Sequence, residues 1–217
     1  ENSVDAKATS IKIELKEAGI REIKVIDNGK GMDHEDAILA FQRHATSKLL
    51  DEDDLYRINT LGFRGEALSS ISAIARVELI TKTYESLTGV RYVIEGSKEI
   101  EIEDIGAPDG TTFLVKDLFY NTPARKKFLK SAQTEGNYIS DIVEKLALSH
   151  PFISFKFINN NQTKLHTSGN GKYKDLIYHV FGREFTSSVL DIDYQGTNFK
   201  VTGYIGKPSI TRGNRAY

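Results

Sequence analysis

The most informative part of the sequence is Asp27-Asn28-Gly29-Lys30-Gly31-Met32, because it places a carboxylate and two glycines directly after a short apolar strand pattern. A carboxylate at the end of a strand can accept a hydrogen bond from the exocyclic amine of a base. Neighbouring glycines let a flat ring approach the backbone closely. The same residues are also typical of a plain Asp-Asn-Gly turn, so this stretch alone leaves both interpretations open.

Two common phosphate-binding motifs are absent from the sequence. The P-loop pattern G-x-x-x-x-G-K-[ST] does not occur, and Gly29-Lys30-Gly31 is followed by His34 where a dinucleotide-binding G-x-G-x-x-G has its third glycine. A P-loop or Rossmann-type site is therefore excluded.

A second glycine-rich stretch, Gly62-Phe63-Arg64-Gly65-Glu66-Ala67-Leu68, precedes a predicted helix over residues 66–74. Free backbone N–H groups at a helix start, together with the helix dipole, favour anions such as a triphosphate. The alternative is a helix with a glycine-rich start and a surface arginine.

Two smaller groups bear on the same ligand. Asn2 and Asp5 lie in a predicted helix end, and an Asn amide oxygen is a hard ligand suited to Mg²⁺. Gly110-Thr111-Thr112 starts a predicted strand with a hydroxyl group. A polar helix end and an ordinary strand start are the alternatives.

Composition bounds the class of protein. The 217 residues are 39% hydrophobic and 27% charged, which is typical of a globular domain. The net charge of −1 argues against a protein that coats nucleic acid by bulk charge. Cysteine is absent, which excludes disulfides and thiolate metal sites. No apolar run of ~18 residues is present, so we expect no membrane partner.

Hydrophobic periodicity predicts an α+β fold with helices on one face of a mainly antiparallel sheet. Strands are predicted over residues 11–15, 23–26, 77–81, 90–95, 99–103 and 111–115, and then over 153–158, 163–167, 188–193 and 199–204. Helices are predicted over residues 34–41, 124–130, 134–149 and 173–181, and in the third of these Ile139, Ile142, Val143, Leu146 and Ala147 form the apolar side. We predict two units, residues 1–120 and 121–217.

In order and wording these motifs resemble the GHKL ATPases, and specifically the N-terminal ATPase region of MutL-family DNA mismatch-repair proteins. The resemblance rests on the stretches 27–32 and 62–68, on Arg43-His44-Ala45-Thr46-Ser47-Lys48, and on Phe119-Tyr120-Asn121-Thr122-Pro123-Ala124-Arg125-Lys126-Lys127-Phe128. It covers residues 1 to about 150, and the motifs of the second unit are weaker. It implies a Bergerat-type ATP-binding sandwich followed by a smaller transducer-like domain.

The resemblance also implies roles for individual residues, with ATP and Mg²⁺ as cofactors. Asn2 would coordinate Mg²⁺, and Asp5 would lie beside the nucleotide. Asp27 would bind the adenine amine with Thr111 nearby, and Gly29, Gly31 and Met32 would shape the base pocket. Thr46, Ser47 and Lys48 would belong to a lid, and the phosphates would be held by Gly62, Phe63, Arg64, Gly65, Ala67 and Leu68.

The implied function is a slowly ATP-hydrolysing switch that dimerises on ATP and couples mismatch recognition to strand removal. Its implied partners are DNA, a second copy of itself and a mismatch-recognition protein. We expect a cytoplasmic, nucleoid-associated location in a bacterium, or a nuclear one in a eukaryote. Arg125, Lys126, Lys127 and Lys130 would contact DNA, with a solvated helix face as the alternative.

One departure concerns catalysis. In the family, a Glu one helical turn before the Asn activates the attacking water, and that position precedes Glu1. Glu1 is not expected to replace it, since adjacent helical residues point about 100° apart. Both ends of the chain look cut, so we expect residues 1–217 alone to be inactive.

Two other functions are alternatives to this interpretation. One is a topoisomerase-type GHKL ATPase, which the sequence of residues 119–128 disfavours, and the other is a DNA- or protein-binding scaffold with an inert nucleotide pocket. A phosphotransfer kinase fits least.

Overall fold

The computed structural model of the protein describes residues 1–42 and 65–210. Their strands are β1 Ser10–Lys16, β2 Glu22–Asp27, β3 Arg76–Lys82, β4 Gly89–Glu95, β5 Lys98–Ile105, β6 Gly110–Lys116, β7 Ser154–Asn159, β8 Gln162–His166, β9 Val189–Gln195 and β10 Lys200–Gly206. Their α-helices are α1 Asn2–Asp5, α2 His34–Leu39, α3 Ala67–Ser72, α4 Pro123–Lys126, α5 Ala132–Ser149 and α6 Tyr173–Ser187.

Eight of these strands form one sheet, in the order β5-β4-β3-β6-β2-β1-β7-β8. All neighbouring pairs in it are antiparallel except β1 and β7, which run parallel with Ser10 opposite Ser154. Strands from both sides of residue 120 share this sheet. The division into residues 1–120 and 121–217 stays a prediction.

Side chains alternate between the two faces of the sheet, and the inward ones form the core. In β3, Val77, Leu79 and Thr81 are buried, while in β7 Phe155 and Phe157 are buried. Helix α2 covers Leu79 and the inward residues of β4, and α5 and α6 cover β1 and β7. The predicted α+β sandwich is therefore confirmed.

Helix α5 starts at Ser131, whose hydroxyl accepts a hydrogen bond from the backbone N–H of Thr134 at 3.3 Å. Val143 and Ala147 are buried against the sheet. The prediction for Ile142 was wrong, because this side chain is 58% exposed. Successive helical residues point about 100° apart, and Ile142 lies just outside the stripe that Val143 and Ala147 bury.

The other face of the sheet has charged side chains at the alternate positions. Arg91 contacts Glu78 at 2.7 Å, Glu101 at 2.7 Å and Glu103 at 2.8 Å, and these carboxylates raise the pKa of its guanidinium. Lys12 pairs with Glu14 at 2.6 Å, which lowers the pKa of that carboxyl. Ion pairs therefore cover part of this face of the sheet.

Strands β9 and β10 form a separate two-stranded sheet. Leu190 pairs with Ile205 and Tyr194 pairs with Val201, so their side chains share one face, and all four are exposed. Asp191 and Asp193 lie on the opposite face, because successive strand residues alternate.

Among the described helices, none combines the length and apolar character needed to cross a bilayer.

Candidate functional site

Asp27 is the last residue of β2, and its carboxylate is held in place by two donors. The Ser3 hydroxyl donates to Oδ2 at 2.6 Å, and the Gly29 backbone N–H donates to Oδ1 at 2.9 Å. An ionised carboxylate has about four acceptor positions, so Asp27 can still accept a hydrogen bond from a ligand. The two contacts fix the direction in which those remaining lone pairs point.

The loop after Asp27 lies directly against backbone from two other elements. The backbone N–H of Lys30 donates to the carbonyl of Ala6 at 3.0 Å, just beyond α1. Gly31 has φ +67°, and a Cβ added there would lie 2.0 Å from the carbonyl oxygen of Lys82. Only glycine fits this approach, which explains the second glycine of the sequence pattern.

A buried hydroxyl connects this loop to the neighbouring strands. Thr81 is fully buried, accepts from the Met32 backbone N–H at 2.9 Å and bonds to the Thr111 hydroxyl at 3.1 Å. Thr111 is in turn the register partner of Asp27. Thr81 therefore sets the position of Met32 and Thr111 relative to each other.

Gly110 brings β6 against the end of β2. Its φ is +105°, and a Cβ added there would lie 2.1 Å from the carbonyl oxygen of Asp27. The predicted pair Gly110 and Thr111 thus lies beside Asp27. The absence of a Cβ at residue 110 permits that contact. We call the group formed by Ser3, Asp27, Gly31, Thr81 and Thr111 the strand-end site.

Two residues of the strand-end site were missed from the sequence. The sequence does point to Thr81, because this polar residue follows Val77 and Leu79 at the alternate positions that face the core. A hydroxyl at such a position needs hydrogen-bond partners. Ser3 gives no such signal, because a single Ser in a short polar helix has no distinguishing pattern. Its role follows only from the contact with Asp27.

Asn2 and Asp5, the predicted metal-side residues, lie on α1 together with Ser3. Consecutive Cα atoms are about 3.8 Å apart, so Asn2 lies next to the residue that holds Asp27. Asn2 is exposed and Asp5 is half-buried. The structure thus brings the Asn2 end of the site and the Asp27 end together through one short helix.

The residues present suit Mg²⁺ held jointly by protein and ligand. Asn2 is an exposed residue, and an amide oxygen is a hard donor. Within residues 1–42 and 65–210, no group of three His, Cys, Asp or Glu side chains could hold a metal ion by itself. Mg²⁺ commonly keeps several waters and takes oxygens from substrate phosphates, so a single amide ligand fits this ion.

On the predicted phosphate side, Gly65 has φ +63° and precedes α3, whose first two residues are Ala67 and Leu68. Gly62, Phe63 and Arg64 lie outside the described residues, as do the lid residues Thr46, Ser47 and Lys48.

The C-terminal end of α3 is capped by the stretch that contributed to the family resemblance. The Phe119 backbone N–H donates to the carbonyl of Ile74 at 2.8 Å, and the Asn121 side-chain amide donates to the carbonyl of Ala73 at 2.9 Å. These bonds satisfy carbonyls that a helix end leaves without partners. Residues 119–121 therefore fix the helix at whose other end the phosphate site is predicted.

The predicted DNA-contacting residues lie after this cap. Helix α4 is shorter than the predicted 124–130, ending at Lys126. Arg125, Lys126, Lys127 and Lys130 are all exposed, and none forms an ion pair with another described residue. We call residues 123–130 the basic turn.

A hollow of about 310 Å³ adjoins the strand-end site. Asp27, Gly110 and Thr111 contribute to its lining. Lys12, Ile26, Ile80 and Thr112 line it as well, and their side chains lie on the opposite face of the strands because successive strand residues alternate. The hollow therefore shares residues with the strand-end site, and the base pocket predicted from the sequence stays a prediction.

Comparison with known proteins identifies the family of this chain. Residues 1–111 match the family described as "Histidine kinase-, DNA gyrase B-, and HSP90-like ATPase". The DNA mismatch repair protein MutL of Agathobacter rectalis is 68% identical over the whole chain, which spans 34% of that relative's length. The chain thus covers about a third of the curated relative that it matches.

Solved structures of related domains are similar to this chain in fold. The Aquifex aeolicus MutL ATPase domain complexed with ADP is 26% identical with a TM-score of 0.70, the match covering 89% of this chain and 68% of that one. The N-terminal domain of a DNA repair protein is 28% identical with a TM-score of 0.77, covering 95% of this chain and 64% of that one. The chain belongs to the family of histidine kinase-, DNA gyrase B- and HSP90-like ATPases, and among them its relatives are the MutL proteins.

Proposed function

We propose that the strand-end site binds the adenine ring of ATP. Asp27 accepts a hydrogen bond from the exocyclic amine, while Gly29, Gly31 and Met32 line the ring and Thr111 lies beside the amine. The observation that supports this most is the Asp27 carboxylate, because Ser3 and the Gly29 N–H anchor both of its oxygens at the edge of a backbone-lined loop. The ADP bound by the related Aquifex aeolicus domain is consistent with this assignment.

The rest of the nucleotide extends from the base toward α1 and α3. Asn2 supplies an oxygen to Mg²⁺, which neutralises phosphate charge when bound, and Asp5 lies one turn further along the same helix. Gly65, Ala67 and Leu68 hold the phosphates, together with Gly62, Phe63 and Arg64. Thr46, Ser47 and Lys48 form the lid over them. The backbone N–H groups at the start of α3 supply the matching partial charge.

In the longer protein, this site works as a slow ATPase and a switch. ATP orders the lid, two copies associate, and hydrolysis releases them, which couples mismatch recognition to strand removal. The nucleotide can drive this change only through its higher affinity for the closed state.

The DNA partner contacts the basic turn, whose cations have no carboxylate partner among the described residues. The separate β9–β10 sheet supports a second unit toward the C-terminal end, with the boundary near residue 120. A mismatch-recognition protein is the further partner, and the location is the bacterial cytoplasm, as the bacterial source of the matching relative suggests.

The base assignment is tested by Asp27→Asn in the full-length protein, with binding of ATP and GTP measured by titration calorimetry. The variant has an NH₂ donor where Asp27 has an accepting oxygen, and the groups around it on the protein and on the adenine are donors too. We therefore expect ATP affinity to fall about 50-fold or more. Asp104→Asn, on the exposed edge strand β5, is the matched control and should bind ATP normally. Unchanged ATP affinity in the Asp27 variant would refute the assignment.

The switch is tested separately by measuring molecular mass in solution with and without a non-hydrolysable ATP analogue. A working switch doubles its mass with the analogue, and the Asp27→Asn variant does so only at much higher analogue concentration. A mass that never depends on nucleotide, with ATP binding intact, assigns the protein to the rival class of passive scaffolds.

A further inference from the structure

Phe128 is a large apolar side chain placed in water by the basic turn. It is 84% exposed, although the neighbouring Leu129 is half-buried. The backbone there is regular, since the Phe128 N–H donates to the carbonyl of Arg125 at 3.0 Å and the Leu129 N–H donates to that of Lys126 at 3.2 Å. The turn thus directs the ring outward, whereas the next side chain along the chain is half-buried.

The surroundings of Phe128 are cationic. Arg125 lies three residues before it in a helical turn, which places the two side chains on the same side. Lys127 is adjacent, and Lys126 and Lys130 complete the group. Between residues 118 and 134 the chain has four basic residues and no acidic one, in a protein whose net charge is −1. The Glu135 carboxylate accepts the Lys130 backbone N–H at 2.7 Å, so Arg125, Lys126 and Lys127 are the cations of the turn that lie away from a carboxylate among the described residues.

A ligand for this surface must offer a flat apolar face and negative charges within a few ångströms of each other. A nucleotide chain has both, because each base presents a π-face and each phosphate a charge. In a duplex the base faces are covered by stacking, whereas in a single strand they are free. We propose that Phe128 stacks on a base of single-stranded DNA while Arg125 and Lys127 contact the adjacent phosphates.

This inference rests on the proposed DNA contact of the basic turn and adds a preference for one form of DNA. Cations alone bind duplex and single strand through the same phosphates. The exposed ring supplies what they lack, since stacking on an aromatic side chain is independent of base sequence. The preference therefore depends on Phe128, whereas the charge-dependent affinity depends on the three cations.

The test compares Phe128→Ala with the unchanged full-length protein, using fluorescence anisotropy with labelled oligo-dT and with a blunt duplex. We expect the affinity for oligo-dT to fall about fivefold or more, the lower end of the loss when one stacking ring is removed. The affinity for the duplex should change less than about twofold. Phe152→Ala, which removes another exposed phenylalanine, is the matched control and should alter neither affinity.

Conservative variants separate stacking from general hydrophobic contact. Phe128→Tyr keeps a flat ring and should retain the affinity for oligo-dT, while Phe128→Leu keeps apolar area without a ring and should lose it. Equal affinities for Phe128→Leu and the unchanged protein would overturn the proposal.

A triple variant, R125Q/K126Q/K127Q, separates this inference from the function on which it rests. If the triple variant loses affinity for both DNA forms and Phe128→Ala loses none, the stacking proposal fails and the DNA contact stands. If the triple variant loses none, the DNA contact itself fails. If Phe128→Ala changes only the mass in solution, the ring belongs to a protein contact and the inference is overturned.

Discussion

In the strand-end site, short side chains bond to one another inside the sheet, whereas in the basic turn long side chains extend into water. Ser3, Asp27, Thr81 and Thr111 each touch another member or the backbone beside it at 2.6–3.1 Å. Arg125, Lys126 and Lys127 have no ion pair with a described residue. The first region should therefore couple ligand binding to folding stability, and the second should not.

The largest effect is expected from Gly31→Ala. The added Cβ would lie 2.0 Å from the Lys82 carbonyl oxygen at φ +67°. Strain and overpacking together should lower the free energy of unfolding by about 2–5 kcal/mol. Urea denaturation measures this. Gly106→Ala, where nothing lies within 4 Å of the added Cβ, is the control, and equal losses in both variants would contradict the close approach.

A smaller loss is expected from Thr81→Val, which keeps the shape and removes the hydroxyl. The Met32 N–H and the Thr111 hydroxyl, both on half-buried residues, would each lose a partner, which should cost about 1–3 kcal/mol. Thermal or urea unfolding of Thr112→Val provides the comparison, because that neighbour lies on the opposite face with no recorded side-chain hydrogen bond among the described residues. A Thr81 variant as stable as the Thr112 variant would remove Thr81 from the site.

Ser3→Ala should cost less still, about 1 kcal/mol, since it removes one charge-assisted hydrogen bond while the better helix propensity of Ala offsets part of the loss. ATP affinity should fall several-fold with it, because Asp27 loses one of its two anchors. Calorimetry and urea unfolding measure both quantities. Ser70→Ala on the exposed side of α3 is the control. Equal changes of ATP affinity in the Ser3 and Ser70 variants would show that Ser3 does not orient Asp27.

The smallest change in stability is expected from R125Q/K126Q/K127Q. Exposed charges without partners contribute little to folding, so the free energy of unfolding should change by less than about 0.5 kcal/mol. The affinity for duplex DNA should instead lose salt dependence, with a slope shallower by about 0.9 for each phosphate contact removed. Binding measured across a salt series tests this, and an unaltered slope would mean that these cations do not touch phosphates.

The same contrast explains what the sequence could predict. Strands β1, β2, β3 and β6 follow from alternation, and Asp27 and Gly31 follow from a short motif, because both signals are local along the chain. Thr111 was singled out only through the family resemblance. The parallel pairing of β1 with β7 is not local, so no window of sequence contains it. The exposure of Ile142 depends on which part of α5 meets the sheet, which periodicity gives only to within about one residue.

Within the site, Ser3 and Thr81 were missed for a related reason. Each acts through a partner far along the chain: Ser3 through Asp27, and Thr81 through Met32 and Thr111. A hydroxyl has no motif of its own, and its role is decided by the residue that the fold places beside it. The glycines were predictable because backbone geometry limits the residues that fit there.

The parallel pairing of β1 with β7 has a consequence for how the protein is made. Ser10 leaves the ribosome long before its partner Ser154, so β1 waits with one row of backbone N–H and C=O groups open while β2 can already pair on its other side. An open strand edge invites pairing with other chains. The edge of β1 therefore stays open until residues 154–159 have emerged and paired with it, and a pause in translation before that point would lengthen its exposure.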